Sequence, residues 1–274
     1  LLPVIKWVGG KRQILDEIRK HVPEKITKYY EPFVGGGAVA FSLCCKNAVL
    51  NDYNDDLMNM YRVIRDNAGT LIAAVDRHLQ NHSQEYYYKV RNLDREEAWK
   101  KADNLTKAAR LIYLNKTGFN GLYRVNSEGL YNVPCGRYKN PTVDYDNLVD
   151  VSCYLKMNQV RLEAVDYKII IKDALKQRNK AGVFVYLDPP YVPLNATSAF
   201  TNYTADGFGM KEQTELRDCC IALKKAGIKF LLSNSSAPAV YELYEGFHIE
   251  EVQAKRAINS VGNKRGAIKE LLIS

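Results

Sequence analysis

The feature that most constrains this chain is the run Ala181-Gly182-Val183-Phe184-Val185-Tyr186-Leu187 together with the four residues after it, Asp188-Pro189-Pro190-Tyr191. An apolar run of that length, rich in Val and aromatics and opened by Gly182, reads as a strand buried on both faces of a parallel sheet. Asp188 then stands where the strand ends, and ligands of open α/β sheets bind outside the carboxyl ends of the strands. Proline fixes φ, lacks an N–H and pushes the residue before it into extended backbone, so Asp188 and Pro189 are both stiff. Their acceptors, the Asp188 carboxylate and the Pro189 carbonyl, could together receive both hydrogens of one planar exocyclic amine. Tyr191 adds a face on which a flat base could stack.

The amine of adenine or cytosine is a poor nucleophile because its lone pair is delocalised into the ring. Two acceptors favour the form whose lone pair points at an electrophile, which is positioning plus stabilisation of developing positive charge. A lone Asp-Pro after a strand more often only begins a turn. The complete tetrad after a hydrophobic strand favours the amine site.

A second constellation lies upstream. Tyr29-Tyr30-Glu31-Pro32-Phe33-Val34 leads into Gly35-Gly36-Gly37-Ala38 and an apolar helix from Val39 to Leu43. Strand, glycine turn and helix start make a nucleotide-sized site, since glycine admits close approach to the backbone and a helix N-terminus is electropositive. Ala48 to Asp52 reads as a second strand ending in an acid suited to two ribose hydroxyls. The alternative is a tight turn with an N-capping Asp. Further upstream, Gly9-Gly10-Lys11 has Arg12 where a phosphate loop needs Ser or Thr, so a nucleotide-triphosphate site is rejected. Ile14, Leu15, Ile18 and Val22 mark a helix closed by Pro23.

From Leu57 to Arg110 the pattern is helical, with Asp94 and Glu97 spaced as a capping box at the head of the last helix. Tyr123-Arg124-Val125 and Leu130-Tyr131-Asn132-Val133, bridged by Asn126 to Gly129, read as a β-hairpin, closed by Pro134, Arg137, Tyr138 and Lys139. Arginine, asparagine and aromatics on a small hairpin fit groove readout of DNA and a wedge in the base stack; a ligand-free surface hairpin fits the pattern equally. Val160 to Tyr167 reads as a short strand ending in Asp166-Tyr167. Helices near Ile169 to Leu175, Lys211 to Ala226 and Pro238 to Tyr244, and strands at Ile228 to Leu232, Phe247 to Val252 and Ala267 to Ile273, complete the pattern. Val192 to Gly209 reads as a polar lid or phosphate-binding loop, and Lys255, Arg256, Lys264 and Arg265 as a basic one.

The charge balance, 39 basic against 31 acidic residues for +8 in 274, is compatible with a polyanionic partner. No apolar stretch nears the roughly 20 residues of a membrane helix, and no signal-peptide layout is visible. The six cysteines form no C-x-x-C pair, so zinc and a disulfide framework are not expected and a reducing, cytoplasmic compartment is. The sequence begins at Leu1 rather than Met, and a few preceding residues are expected.

Trp7-Val8-Gly9-Gly10-Lys11, Glu31 to Gly37, Asn51-Asp52, Phe119 to Arg124 and Asp188 to Tyr191, in that order, resemble the N6-adenine DNA methyltransferases of the Dam type in their alpha arrangement. The resemblance runs over nearly the whole chain. It implies an α/β fold with a Rossmann-like methyltransferase sheet whose last strand is antiparallel, formed by residues 1–56 and 146–274. Residues 57–145 would be an inserted target-recognition domain, helical with a β-hairpin at about 119–134. It implies S-adenosylmethionine as donor, double-stranded DNA as substrate, methylation of adenine in GATC on a flipped base, and no metal. A cognate restriction endonuclease is a further partner the family admits.

Carried over by motif, Asp188, Pro189, Pro190 and Tyr191 would be catalytic. Trp7, Lys11, Glu31, Phe33, Gly35, Gly37, Asp52, Asp166, Tyr167 and Asp188 would contact the donor. Phe119, Asn120, Arg124, Asn126, Pro134, Arg137, Tyr138 and Lys139 would contact DNA, with Arg124 reading a guanine. Tyr167 stands where relatives commonly carry phenylalanine and should stack as well. Two other readings share some features: a nicotinamide-dependent oxidoreductase, which gives the tetrad no role, and a non-catalytic nucleic-acid-binding module, which leaves it unexplained.

Overall fold

In the computed structural model, which describes residues 1–194, 207–255 and 267–274, the run after Gly182 forms strand β4, Val183–Leu187, with all five residues buried. Gly182 opens it at φ +76°, where a Cβ would come within 2.9 Å of the Thr27 side chain. β4 pairs in parallel with β1, Lys28–Glu31, on one side and with β5, Lys229–Ser235, on the other. A strand with parallel neighbours on both sides must be apolar on both faces, which is why the alternating pattern of a half-exposed strand is missing.

With β2, Ala48–Asn51, β3, Arg161–Glu163, β6, Ile249–Lys255, and β7, Ala267–Ile273, these strands form a seven-stranded mixed sheet in the order β3-β2-β1-β4-β5-β7-β6. β7 is antiparallel to both β5 and β6, the last-strand reversal expected above. The order reverses between β1 and β4, which places the switch point of the sheet beside the carboxyl ends of those two strands.

The chain divides into two compact units. The second, residues 11–33, 45–51 and 165–274, holds helices α1, Leu15–Lys20, α7, Tyr167–Leu175, α8, Met210–Lys225, and α9, Pro238–Leu243. Its core joins Tyr30, Val185, Leu187, Ile171, Leu216, Leu232 and Leu271, each almost wholly buried. Each such side chain contributes roughly 1.5–3 kcal/mol of burial.

The first unit, residues 1–10, 34–44 and 52–164, is mainly helical: α2, Ala38–Leu43, α3, Asp55–Gln80, α4, Gln84–Asn92, α5, Asn104–Thr117, and α6, Tyr145–Met157. Tyr87, Val90, Tyr113, Leu114, Tyr131 and Val133 form a small core that seats residues 131–133 against α4 and α5.

Several expectations need correction. The last helix of the helical stretch starts at Asn104 under an Asp103 cap, not at Asp94. Asp94 lies in a 3-10 turn, Leu93–Arg95, where it pairs with Arg110 at 2.8 Å and accepts the Tyr131 N–H at 2.8 Å. Long-range partners thus took the carboxylate that the local spacing assigned to a cap. The strand at Val160 to Tyr167 is only Arg161–Glu163, because Asp166 turns back to accept the Lys168 N–H and opens α7 at Tyr167. α1 stops at Lys20, short of Pro23. The arms around Asn126 to Gly129 meet at two isolated antiparallel bridges, Val125 opposite Tyr131 and Gly118 opposite Cys135, and through backbone bonds from Asn126 N–H to Leu130 and Asn132 N–H to Arg124, without forming regular strands.

Candidate active site and nucleic-acid interface

Asp188 follows β4 directly, and the structure gives it a partner no spacing could show. Lys11, 4% exposed, lies 177 positions earlier and sets its Nζ 2.8 Å from Asp188 Oδ1. The same ammonium stands 4.7 Å from the centroid of the Tyr191 ring. Burial pushes the Asp188 carboxyl up to about 6, against the pull of Lys11, with Glu270 adding to the rise.

The backbone around Tyr191 is clamped on both sides. Gln213 Nε2 donates to the Pro190 carbonyl at 2.7 Å, and the Val192 N–H donates to Asn234 Oδ1 at 3.1 Å. Asn234 Nδ2 in turn donates to Gln213 Oε1 at 3.1 Å, and Ser235 Oγ donates to the Val192 carbonyl. Gln213 and Asn234 are fully buried, so the network is protected from water and fully engaged. Sequence reasoning missed both residues. Asn234 carried a signal, a polar Ser233-Asn234-Ser235 run directly continuing an apolar strand, which was read as the strand's end at Leu232 although β5 runs on to Ser235. The Tyr191 phenol donates to Glu270 Oε2 on β7 at 2.8 Å.

Also in this unit, Glu31 is buried at the end of β1 and accepts the Tyr29 phenol at 2.6 Å. Asn51 bonds the Pro32 carbonyl and both polar backbone groups of Val165, tying two strand-end turns together. Phe33 and Tyr167 meet at 5.1 Å between centroids, with Phe208 5.8 Å from each. Asp166 stands exposed at the N-cap beside that aromatic group.

In the first unit the glycine turn takes the conformations its composition allows. Gly35 has φ +49° and Gly37 φ +74°; a Cβ on Gly37 would fall 2.5 Å from the Phe41 ring, and one on Gly35 3.0 Å from Trp7. Asp52 accepts the Gly35 N–H at 3.0 Å and the Asn54 N–H at 2.9 Å, and burial raises its carboxyl above the usual range. It caps no helix; Asn54 caps α3. Trp7 packs over the turn and stacks on Tyr123 at 5.0 Å. Tyr53, next to Asp52, exposes 84% of its surface, a large aromatic left open at this turn that sequence reasoning passed over.

The DNA-contact residues expected above fall in the same unit. Phe119 is 49% exposed, and Asn120 has φ +55° in the turn Phe119–Gly121. The Arg124 guanidinium donates from Nε to Asn132 Oδ1 at 2.7 Å, which aims it. Asn126 spends its side-chain carbonyl on the Glu128 and Leu130 N–H groups, holding the turn. Arg137, Tyr138 and Lys139 line one cleft of about 370 Å³ with His82, Ser83 and Gln84, and Pro134 is exposed before it. Lys6 and Lys116 also stand here: Lys6 lies 6.0 Å over the Tyr138 ring, and burial followed by repulsion from Lys6 lowers the Lys116 ammonium. Neither lysine had been singled out, because isolated lysines carry no pattern.

The residues Val192 to Gly209 and the basic loop after β6 fall largely outside the described residues, including Arg256, Lys264 and Arg265. Among the described residues no group of three or more His, Cys, Asp or Glu side chains could hold a metal, and no helix is long and apolar enough to cross a membrane.

Residues 7–258 match the family model described as D12 class N6 adenine-specific DNA methyltransferase. The Type II methyltransferase M1.LlaDCHI of Lactococcus lactis subsp. cremoris is 43% identical over 275 residues, covering 100% of this chain and 95% of the relative. The Type II methyltransferase M.MjaIII of Methanocaldococcus jannaschii is 43% identical over 290 residues, covering 99% and 98%. A DNA adenine methylase of Escherichia coli is 34% identical over 271 residues, covering 98% and 93%.

Proposed function

The chain belongs to the D12 class of N6 adenine-specific DNA methyltransferases, and from that premise we propose that it uses S-adenosylmethionine to methylate the N6 amine of a flipped adenine in GATC. Its activity as an adenine-specific DNA methyltransferase follows from the family; the donor, the target sequence and base extrusion are the proposal. The oxidoreductase and the non-catalytic readings fall with the family.

The observation that carries the proposal is the Asp188 carboxylate at the end of the central strand, next to a clamped Tyr191. Asp188 and the Pro189 carbonyl accept the two amine hydrogens, drawing the lone pair out of the ring plane. Tyr191 gives the base a face. Pro190 removes an N–H that could turn back on the Asp188 carboxylate and keeps the segment rigid. A base inside a duplex cannot reach such a pocket, so extrusion is part of the reading.

The residues present fit the donor. The glycine turn is a cradle that a Cβ would fill, and Asp52 offers a carboxylate already fixed by two backbone N–H groups, with lone pairs left for ribose hydroxyls. Trp7 braces the turn, Tyr53 adds an open ring, and Phe33, Asp166 and Tyr167 keep the role of holding the donor adenine. Lys11 and Glu31 supply charge for its amino-acid end. When bound, S-adenosylmethionine supplies a methyl group on a sulfonium, which leaves as a neutral thioether.

On the DNA side, Phe119 fills the disrupted step, Arg124 reads a guanine, and Lys6, Lys116, Arg137 and Lys139 hold phosphate or groove. We keep residues 57–145 as the target-recognition insertion between the catalytic stretches 1–56 and 146–274. Two relatives named as Type II methyltransferases favour a restriction-modification setting with a cognate endonuclease.

The deciding experiment is sequencing of plasmid DNA incubated with the protein and S-adenosylmethionine, with modified bases read directly. N6-methyladenine confined to GATC is the expected result. Modified adenine in another context would correct the target, and unmodified DNA would overturn the donor and site together.

A further inference from the structure

We propose that Glu270 is a positioning residue for methyl transfer, holding the Tyr191 ring in place beside Asp188 through its phenol oxygen. The inference rests on the reading of Asp188 and Tyr191 as the amine site, and adds to it a residue from a strand 79 positions further along the chain.

The geometry is specific. Glu270 sits on β7 with Ser235 of β5 as its Cα partner on one side and Val252 of β6 on the other, so its backbone is fixed by the sheet. Its Oε2 accepts the Tyr191 phenol at 2.8 Å. Gln213 and Asn234 already fix the backbone before and after Tyr191, but these bonds do not reach the ring. One face of the ring is taken by the Lys11 ammonium at 4.7 Å. With its tip held by Glu270 and one face by Lys11, the ring is fixed in position at two points.

An acid at this place is costly for the fold alone. Leu271, Leu272 and Ile273, its neighbours on β7, are buried, and a half-buried carboxylate is unfavourable unless it is hydrogen-bonded. A hydroxyl-bearing residue could satisfy a phenol as well. A carboxylate forms the shorter, stronger charge-assisted bond, which restrains geometry better. Its charge also reaches the amine site. The groups that face Asp188 are Lys11 from the turn before α1, Tyr191 from its own loop, Tyr186 from β4 and Glu270 from β7, with Glu31 of β1 acting on Tyr186. Of these, Glu270 adds negative charge next to Asp188 and so holds its carboxyl higher.

The test uses the full chain with S-adenosylmethionine and a duplex carrying its target, and compares Glu270→Ala, Glu270→Gln, Tyr191→Phe and the double variant Tyr191→Phe with Glu270→Ala. Glu270→Ala should lose roughly 10- to 100-fold in kcat, the scale of a misplaced reacting geometry, while KM for donor and for DNA stays within about threefold. Glu270→Gln should recover most of that loss, because its amide carbonyl still accepts the phenol. In the Tyr191→Phe background the alanine substitution should cost less than about threefold more, since both changes break one interaction. The acid limb of kcat/KM should move to lower pH in Glu270→Gln, where the raising charge is gone.

A Glu270→Ala rate within about threefold of the parent would overturn the inference, as would fully additive losses in the double variant. Should the alanine variant fail to fold, Tyr191→Phe decides, because it removes the same bond from the other side: a kcat within about threefold of the parent overturns the proposal, and a loss of about tenfold or more supports it. Asp188→Ala separates the two layers. If Asp188→Ala is inactive while Glu270→Ala is not impaired, only the role of Glu270 falls; if Asp188→Ala is active, the amine site and this inference fall together.

Discussion

A carboxylate that accepts amine hydrogens must be ionised, yet the place Asp188 occupies penalises its charge. Burial holds its carboxyl at about 6 even with Lys11 at 2.8 Å. The acceptor is lost as pH falls through that value, so kcat/KM should drop about tenfold per unit below pH ~6. Lys11→Met removes the lowering charge and should move the limb toward neutrality; superimposable pH profiles for parent and variant would refute the coupling. Stability runs the other way for this group. A pKa raised on folding adds stability below the unfolded value of 3.8 and loses it as pH climbs through about 6. Asp188→Ala should still cost about 100-fold or more in methyl transfer. At the glycine turn, Asp52→Ala should weaken S-adenosylmethionine binding by roughly 1–3 kcal/mol, because a charge-assisted acceptor and the brace on Gly35 go together. Calorimetry showing unchanged affinity would remove Asp52 from the donor site.

Among the elements, what could be read in advance divides by the range of the interaction that decides each one. β4 was legible because five consecutive buried residues leave few alternatives, and the glycine turn because positive φ demands glycine. The start of α5 was not, because Asp94 carries Glu97 at the capping-box spacing whereas Asp103 is followed by Thr106 there, so the local pattern favours the wrong aspartate. Only the fold shows that Arg110, 9% exposed and flanked by the Trp99 and Tyr131 rings, claims Asp94. The same blindness hid Lys11 with Asp188, Glu270 with Tyr191 and Gln213 with Pro190: each pair joins residues remote in sequence. The hairpin lacks a continuous ladder for a local reason, since Asn126 takes the Glu128 and Leu130 N–H groups with its side chain and the arms pair through isolated bridges. The Asp94–Arg110 pair is thus a strut of the turn around residues 126–131. Asp94→Ala should destabilise the protein by about 3–5 kcal/mol, because a buried guanidinium loses its counter-ion and the Tyr131 N–H its acceptor. Urea unfolding measures this directly, and a loss under about 1 kcal/mol would show that the pair is dispensable.

For the molecule as a whole, a net charge of +8 predicts attraction to DNA but says nothing about which sequence is bound. The proposed roles divide the cations. Arg124 is aimed by Asn132, as a guanidinium must be to meet guanine O6 and N7 with both arms, a match worth about 1–3 kcal/mol of discrimination. Arg137 and Lys139 line a polar cleft without any such fixed aim, which suits phosphate, and phosphate contacts hold register without carrying sequence. The two roles separate on one set of duplexes. Arg124→Ala should narrow the gap in rate between GATC and sites with one outer base pair changed, by about 10- to 100-fold, while its salt dependence stays close to the parent's. Lys139→Ala should weaken cognate and altered duplexes alike and flatten the slope of log K against log salt by about one unit, the release of one counter-ion. If Arg124→Ala kept the full preference for GATC, the guanine would have to be read by another cation of the same unit. Lys6 would be the first to exchange, since it lies over the Tyr138 ring and its backbone is tied through Asn115 to the carbonyl of Gly121 in the Phe119–Gly121 turn.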